Sequence, residues 1–309
     1  MHLPAGVTAG LSFPNALTTG PVAGTTFATA GDGTGGTVSS GTGWSWYAPY
    51  QAVYISGANA IVENLIIPFP AAVDVFASGA TIRNCLITTG GTTQNNFAIA
   101  IETDSNNSGA PIVGLTIQDC TITGEDPEVN PLTAGIKDIY GATTGIVVQR
   151  CNVSVASTGV QICSGLVQDC YIHDPCDPTP YGFHLNGITS GGGNGLGTPL
   201  IVRHNTILNP YGQTDAVGLF QDTSSQANVT IDGNLLAGGD YAIYGGWNNT
   251  GTYGATSGIV VTNNRISQAY YATGGVFGSH TAFNASGSGN VWSGNVYHDT
   301  NAPILVTDP

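Results

Sequence analysis

The sequence predicts an all-β fold, a single right-handed parallel β-helix of about nine to ten coils closed at both ends by caps. Three observations carry that expectation. A short frame recurs nine times, a second frame follows the first eight copies, and no segment offers a helical apolar period. Units repeating at this length bury a core only by stacking on their neighbours.

The first frame is an apolar residue, two positions, Asn or Cys, one position, and an apolar residue. It reads Ile61-x-x-Asn64-x-Ile66, Ile82-x-x-Cys85-x-Ile87, Ile117-x-x-Cys120-x-Ile122, Val148-x-x-Cys151-x-Val153 and Val167-x-x-Cys170-x-Ile172. It continues as Val202-x-x-Asn205-x-Ile207, Ile231-x-x-Asn234-x-Leu236, Val261-x-x-Asn264-x-Ile266 and Trp292-x-x-Asn295-x-Tyr297. Successive slots lie between 19 residues (Cys151 to Cys170) and 35 residues (Cys85 to Cys120) apart. The second frame is a small or apolar residue, a large apolar one and a variable one. It reads Ala72-Val73-Asp74, Ala100-Ile101-Glu102, Gly135-Ile136-Lys137, Gly159-Val160-Gln161, Gly182-Phe183-His184, Gly218-Leu219-Phe220, Ala242-Ile243-Tyr244 and Gly275-Val276-Phe277. Period-two alternation and Gly/Asn/Asp punctuation make both frames strands.

In chain order, residues 1–54 are expected to form an N-terminal cap or attachment segment with a first partial coil. Trp44, Trp46 and Tyr47 cover core or anchor a contact there, because an open solenoid end exposes unpaired backbone. Residues 55–300 form the coils and 301–309 a C-terminal cap or tail. Long insertions, such as 123–133 and 187–199, stand beside the coils that carry Glu102, Lys137, His184 and Tyr244, and loops beside a flat strand face make a groove.

Nineteen acidic residues against five basic ones give a net charge of −14. That balance argues against nucleic acid, against anionic membrane surfaces and, absent bridging calcium, against acidic polysaccharide. No apolar run is long enough to insert in a membrane. Four of the six cysteines fill the ladder slot as small buried residues; Cys163 and Cys176 lie elsewhere and are open to pairing or to remaining thiols. No zinc-ligand spacing occurs and no cofactor is required. The run Glu125-Asp126-Pro127-Glu128 reads as a solvated acidic loop, with a structural calcium ion as its alternative.

Alternation puts the third residue of the second frame outside, giving the column Asp74, Glu102, Lys137, Gln161, His184, Phe220, Tyr244 and Phe277. A parallel column two residues on includes Asp104, Asn186 and Asp222. Carboxylates, amides and a histidine beside aromatic rings suit sugars, which offer hydroxyls and apolar ring faces. Glu102, Lys137, His184 and Asp222 are the candidate catalytic groups; Asp74, Asp104, Gln161, Asn186, Phe220, Tyr244 and Trp247 are the candidate glycan contacts. Lys137, the only lysine, is either half of an inter-coil ion pair with Glu102 or a clamp or base. Carboxylates one coil apart fit the separations that glycoside hydrolases use, or else are ordinary members of an acidic surface.

The column Asn64, Asn205, Asn234, Asn264, Asn295 resembles the asparagine ladder of pectate-lyase-like β-helices, with Cys in the same slot of four middle coils. Coils such as 228–246 are similar to those of actinobacterial β-helix proteins and of minor tail or tail-spike proteins of actinobacterial phages. This resemblance implies a virion tail or extracellular protein, trimeric, contacting other tail proteins and binding host cell-envelope polysaccharide. Met1 is followed by no secretory signal, which fits a virion protein or a secreted one whose leader has been removed. The alternative it implies is a secreted polysaccharide hydrolase or lyase. A lyase needs cationic groups to neutralise a uronate, and only Lys137 and His184 lie on the columns, so hydrolysis is the better expectation.

Overall fold

A computed structural model describes residues 12–91, 96–130, 132–176, 182, 184–193, 198–247 and 252–306. Its regular structure is all β, with three long sheets whose principal pairings are parallel and no helix among the described residues. Each of nine successive coils gives one strand to each sheet, a solenoid-like arrangement. The first sheet runs from Ile61–Glu63 to Val291–Ser293, the second from Leu65–Ile67 to Val296–Tyr297, and the third from Ala52–Ile55 to Gly278–Thr281. Short strands of Val, Ile and Leu pack their inner faces into one column, including Ile82, Ile117, Val148, Val167, Val202, Ile231 and Val261, all fully buried. No single coil could bury these side chains alone; stacking removes them from water.

The bend between the first two sheets repeats one device. The residue before each ladder slot adopts positive φ: Asn84, Asp119, Arg150, Asp169, His204, Gly233, Asn263 and Gly294. Asn, Asp and Gly tolerate that left-handed conformation best, and they supply six of the eight. The next residue turns inward. Asn205, Asn234, Asn264 and Asn295 then form a buried ladder. The Asn234 amide donates through Nδ2 to Asn264 Oδ1 at 2.9 Å, and its backbone N–H donates to the same oxygen at 3.0 Å. Asn205 donates likewise to Asn234, and Asn264 to Asn295. In the cysteine coils each thiol instead reaches the carbonyl two residues back, as Cys120 Sγ does to Gln118 O at 3.2 Å.

The first coil corrects the frame read from sequence. Val62 pairs with Ile82 and Ile67 with Ile87, so the slot is Leu65, which is buried. Asn64 occupies the positive-φ position instead, and its Oδ1 accepts a hydrogen bond from Asn84 Nδ2. Ile61 is left 39% exposed. A one-residue slip in a strand reverses every face assignment.

Four corrections of register apply to the third sheet. Asp74 pairs with Ala100, so the frame there is Ala98-Ile99-Ala100 rather than Ala100-Ile101-Glu102. Gln161 pairs with Thr189, so the frame there is Gly187-Ile188-Thr189 rather than Gly182-Phe183-His184. Thr189 pairs with Gly218, so the frame there is Ala216-Val217-Gly218, and Leu219, also buried, is the next inward residue. Ile243 pairs with His280, so Val276 and Phe277 precede the last strand. Small residues at the first position of this frame have a steric cause: a side chain at Gly135, Gly159 or Gly187 would run into Val153, Ile172 or Ile207 of the second sheet.

Both ends are covered. Trp44–Tyr47 pairs antiparallel with Ala52–Ile55, and Ala28–Thr29 extends the second sheet beside Leu65–Ile67. At the far end Ile304 is buried against the core, and Trp292 Nε1 donates to its carbonyl at 2.8 Å. Residues 12–28 form a strap running against the coil order along the positive-φ corner. Phe13 stacks 6.0 Å from His204, Gly20 N donates to Arg150 O, Val22 N to Asn84 Oδ1, and Ala28 N to Asn64 O. Cys163 is buried against Gly141 and Gly193, while Cys176 Sγ lies 3.0 Å from Pro127 O.

Candidate functional site

Register in the third sheet defines one outward column: Tyr54, Asp74, Ala100, Lys137, Gln161, Thr189, Gly218, Tyr244 and Thr281. Asp74, Lys137, Gln161 and Tyr244 therefore stand where the sequence puts them. Glu102 does not share their column; its backbone continues two residues past Ala100, in line with Phe76 and Ile139. It still borders the same cleft.

That first cleft, of about 550 Å³, is lined by Tyr50, Asp74, Asn96, Phe97, Glu102, Lys137 and Ile139 among others. At its end the rings of Tyr47, Tyr50, Tyr54 and Phe76 form a continuous aromatic platform, with Tyr54 stacked on Phe76 at 4.4 Å and 24°. Tyr50 is 75% exposed, a large ring held out by neighbours rather than by burial. Burial pushes the Asp74 carboxyl up to about 6, and the charge of Glu102 adds to the shift. Burial also raises Glu102. Lys137 forms no ion pair with Glu102. Its Nζ donates to Gln161 Oε1 and lies 5.9 Å over the Phe97 ring, and burial lowers its pKa.

A second cleft of about 310 Å³ continues along the same face, lined by Ser157, Thr158, Gln161, His184, Asn186, Thr189, Thr214, Phe220 and Asp222 among others. His184 precedes the strand Asn186–Ser190, and its Nδ1 lies 3.2 Å from Thr214 Oγ1. Asn186 Nδ2 donates to Thr158 Oγ1 at 3.2 Å. Burial raises Asp222, while Lys137 and His184 pull it the other way. Both electrostatic partners bring His184, Asp222 and Lys137 into one neighbourhood. Beyond it, Phe220 and Tyr244 (5.4 Å) and Tyr241 and Phe277 (5.9 Å) make a second aromatic group.

Two of the expected contacts are elsewhere. Asp104 is buried under its own loop, accepting from Ser78 N at 3.1 Å and Asn106 N at 2.9 Å, which lowers its pKa. Trp247 lines neither cleft; its backbone N–H donates to Ala282 O. In the acidic loop, Asp126 Oδ1 accepts from Glu128 N and Val129 N, and Glu125 accepts from Asn130. Among the described residues no group of three or more His, Cys, Asp or Glu side chains is arranged to hold a metal.

Tyr50, Tyr54 and Phe97 were missed in the sequence. Tyr54 carries a readable signal, since Val53-Tyr54-Ile55 has the same inner–outer–inner pattern as Val73-Asp74-Val75. Asp215 was missed for a different reason: it precedes the alternating stretch and reaches the face only because Gly218 leaves room.

No protein-family model, no curated protein and no solved structure matches this chain.

Proposed function

We propose that this protein is a right-handed parallel β-helix of the pectate-lyase-like kind that recognises a neutral polysaccharide along the outer face of its third sheet. The carrying observation is the order of side chains on that face. An aromatic platform (Tyr47, Tyr50, Tyr54, Phe76) is followed by a polar middle (Asp74, Glu102, Lys137, Gln161, His184, Asp222) and a second aromatic group (Phe220, Tyr244). Rings take the apolar faces of sugars and the polar middle takes their hydroxyls. Seven coil steps from Tyr54 to Tyr244, at about 4.8 Å each, give a face of roughly 34 Å, room for several sugar units. A chain of net charge −14 repels an acidic glycan and tolerates a neutral one.

The biological setting we propose is the receptor-binding part of a phage tail, a spike or minor tail protein that is trimeric, contacts other tail proteins and binds host cell-envelope polysaccharide. The residue pattern of coils such as 228–246, which resembles that of phage and actinobacterial β-helix proteins, motivates it. A second reading, a polysaccharide hydrolase, is favoured by one observation: Asp74 titrating near 6 beside Glu102 in an open cleft. A carboxyl protonated near neutrality next to a second carboxyl is the pairing that glycoside hydrolysis uses.

Incubation of the purified protein with actinobacterial cell-wall polysaccharides, read for retained binding and released oligosaccharide, separates the two. Binding without release is the expected result, with Tyr54→Ala and Tyr244→Ala each weakening it about tenfold. Release that Glu102→Gln abolishes makes the first cleft an active site. Retention of no polysaccharide overturns the groove.

A further inference from the structure

The second cleft has a wall that is closed in this structure. Asp215 is 0% exposed, and neither of its carboxyl oxygens has a hydrogen-bond partner. Its register partner on the preceding coil is Asn186, 9% exposed, whose Oδ1 is likewise without a partner while its Nδ2 is held by Thr158. Asn186 and Thr158 both line the cleft. Buried polar atoms left unpaired cost free energy, and two such side chains paired in register on adjacent coils are unusual in a core this regular.

The position of the carboxyl is set by Gly218. Every other occupant of the outward column from Tyr54 to Thr281 has a side chain. At Gly218 the place a Cβ would take is filled by Asp215 Oδ2 on one side and Phe220 Cε2 on the other. The Asp215 carboxyl thus stands in for the missing column side chain, between Thr189 and Tyr244. The Phe220 ring lies against it and faces the cleft. Phe220's backbone is fixed, with its carbonyl accepting from Gln226 Nε2 and its N–H donating to Ser190 O. Its ring can still turn about χ1 without moving the coil.

We infer that Asp215 and Asn186 form a concealed subsite for a hydroxyl-bearing neutral sugar ring, opened when Phe220's side chain turns aside. The sugar ring then packs on Tyr244, and a sugar hydroxyl bridges the Asp215 carboxyl and Asn186 Oδ1. Burial raises the Asp215 pKa well above the usual carboxylate range, which favours the protonated acid, a group able both to donate and to accept. That suits a neutral hydroxyl, which does both. The subsite rests on the glycan reading of the groove and assigns its deepest contact.

The test uses thermal shift and equilibrium dialysis with maltose, cellobiose and lactose as probes. The proteins are wild type, Phe220→Ala, and Phe220→Ala combined with Asp215→Leu. Removing the roof should let at least one disaccharide raise the melting temperature saturably, with affinity lost about tenfold or more when Asp215 is also replaced. Asp215→Leu alone should melt at or above wild type, since it removes two unsatisfied oxygens at similar volume. Phe220→Leu and Asp215→Asn serve if either first variant does not fold. Absence of any disaccharide effect on the roofless protein, or an effect unchanged by Asp215→Leu, overturns the subsite. Polysaccharide retention by wild type is read separately: retention with a silent disaccharide assay leaves the groove and removes the subsite. A disaccharide response without polysaccharide retention keeps the subsite and removes the groove.

Discussion

Asp74 is the side chain whose environment has the clearest consequence. Its carboxyl titrates near 6 in the folded protein and at an ordinary 3.8 otherwise. Between those values the folded state holds a proton that the unfolded state has released, so folding stability falls as pH rises from about 4 to 6 and then levels off. Asp74→Asn removes the titration. The variant should be more stable than wild type by about 1–3 kcal/mol at pH 7 and equal to it near pH 3.5, read by urea melts at the two pH values. An advantage over wild type no larger at pH 7 than at pH 3.5 contradicts the burial of this carboxyl. At this scale the sequence was legible wherever alternation was strict: Asp74, Lys137, Gln161 and Tyr244 fall on the column. It failed where a strand starts after an insertion. His184 and Phe277 belong to loops because period two cannot say which Gly of a Gly-rich run begins the strand, and Asp215 shows itself only when Gly218's missing side chain is seen in three dimensions.

Among elements, the bend between the first and second sheets carries the most specific pattern. Two adjacent positions do different jobs there. The first takes positive φ and faces outward; the second faces inward and joins the ladder. Asn stands in either position, and in both at Asn263 and Asn264, which is why Asn64 reads as a ladder residue from sequence although Leu65 fills that slot. The two roles differ in cost. Asn234→Ala leaves the Asn205 backbone N–H and amide without their acceptor and leaves Val202 O without its donor. It should destabilise the protein by about 3–5 kcal/mol. Asn64→Gly loses one side-chain contact and relieves a left-handed backbone, and should cost less than about 1 kcal/mol. Chemical denaturation of both variants checks the assignment; equal losses would contradict it.

At the scale of the whole molecule, a solenoid is held together by nearest neighbours, so its ends should fray independently of its middle. The strap changes that arithmetic. Ser12 O accepts from His204, whose other ring nitrogen is 2.6 Å from Asp169; Phe13 lies 6.2 Å from His298 as well as beside His204. Further along, Thr25, Ala28 and Ala30 are bonded to Asn84, Asn64 and Ile66. One chain segment therefore contacts early, middle and late coils, and fraying of the late coils must first release it. Removal of residues 1–19 deletes the late contacts while leaving Val22 and Ala28 bonded to the first two coils. Hydrogen exchange should then accelerate at Arg265–Ser267 and Val296–Tyr297 by about tenfold or more, with exchange at Leu86–Thr89 little changed. Uniform acceleration across all coils would mean that the strap adds only global stability. Unchanged exchange would mean that coil stacking alone sets the behaviour of the far end. Acceleration confined to the late coils makes the strap the element that turns a row of neighbour contacts into one cooperative body, and so keeps the two aromatic groups of the groove at a fixed spacing.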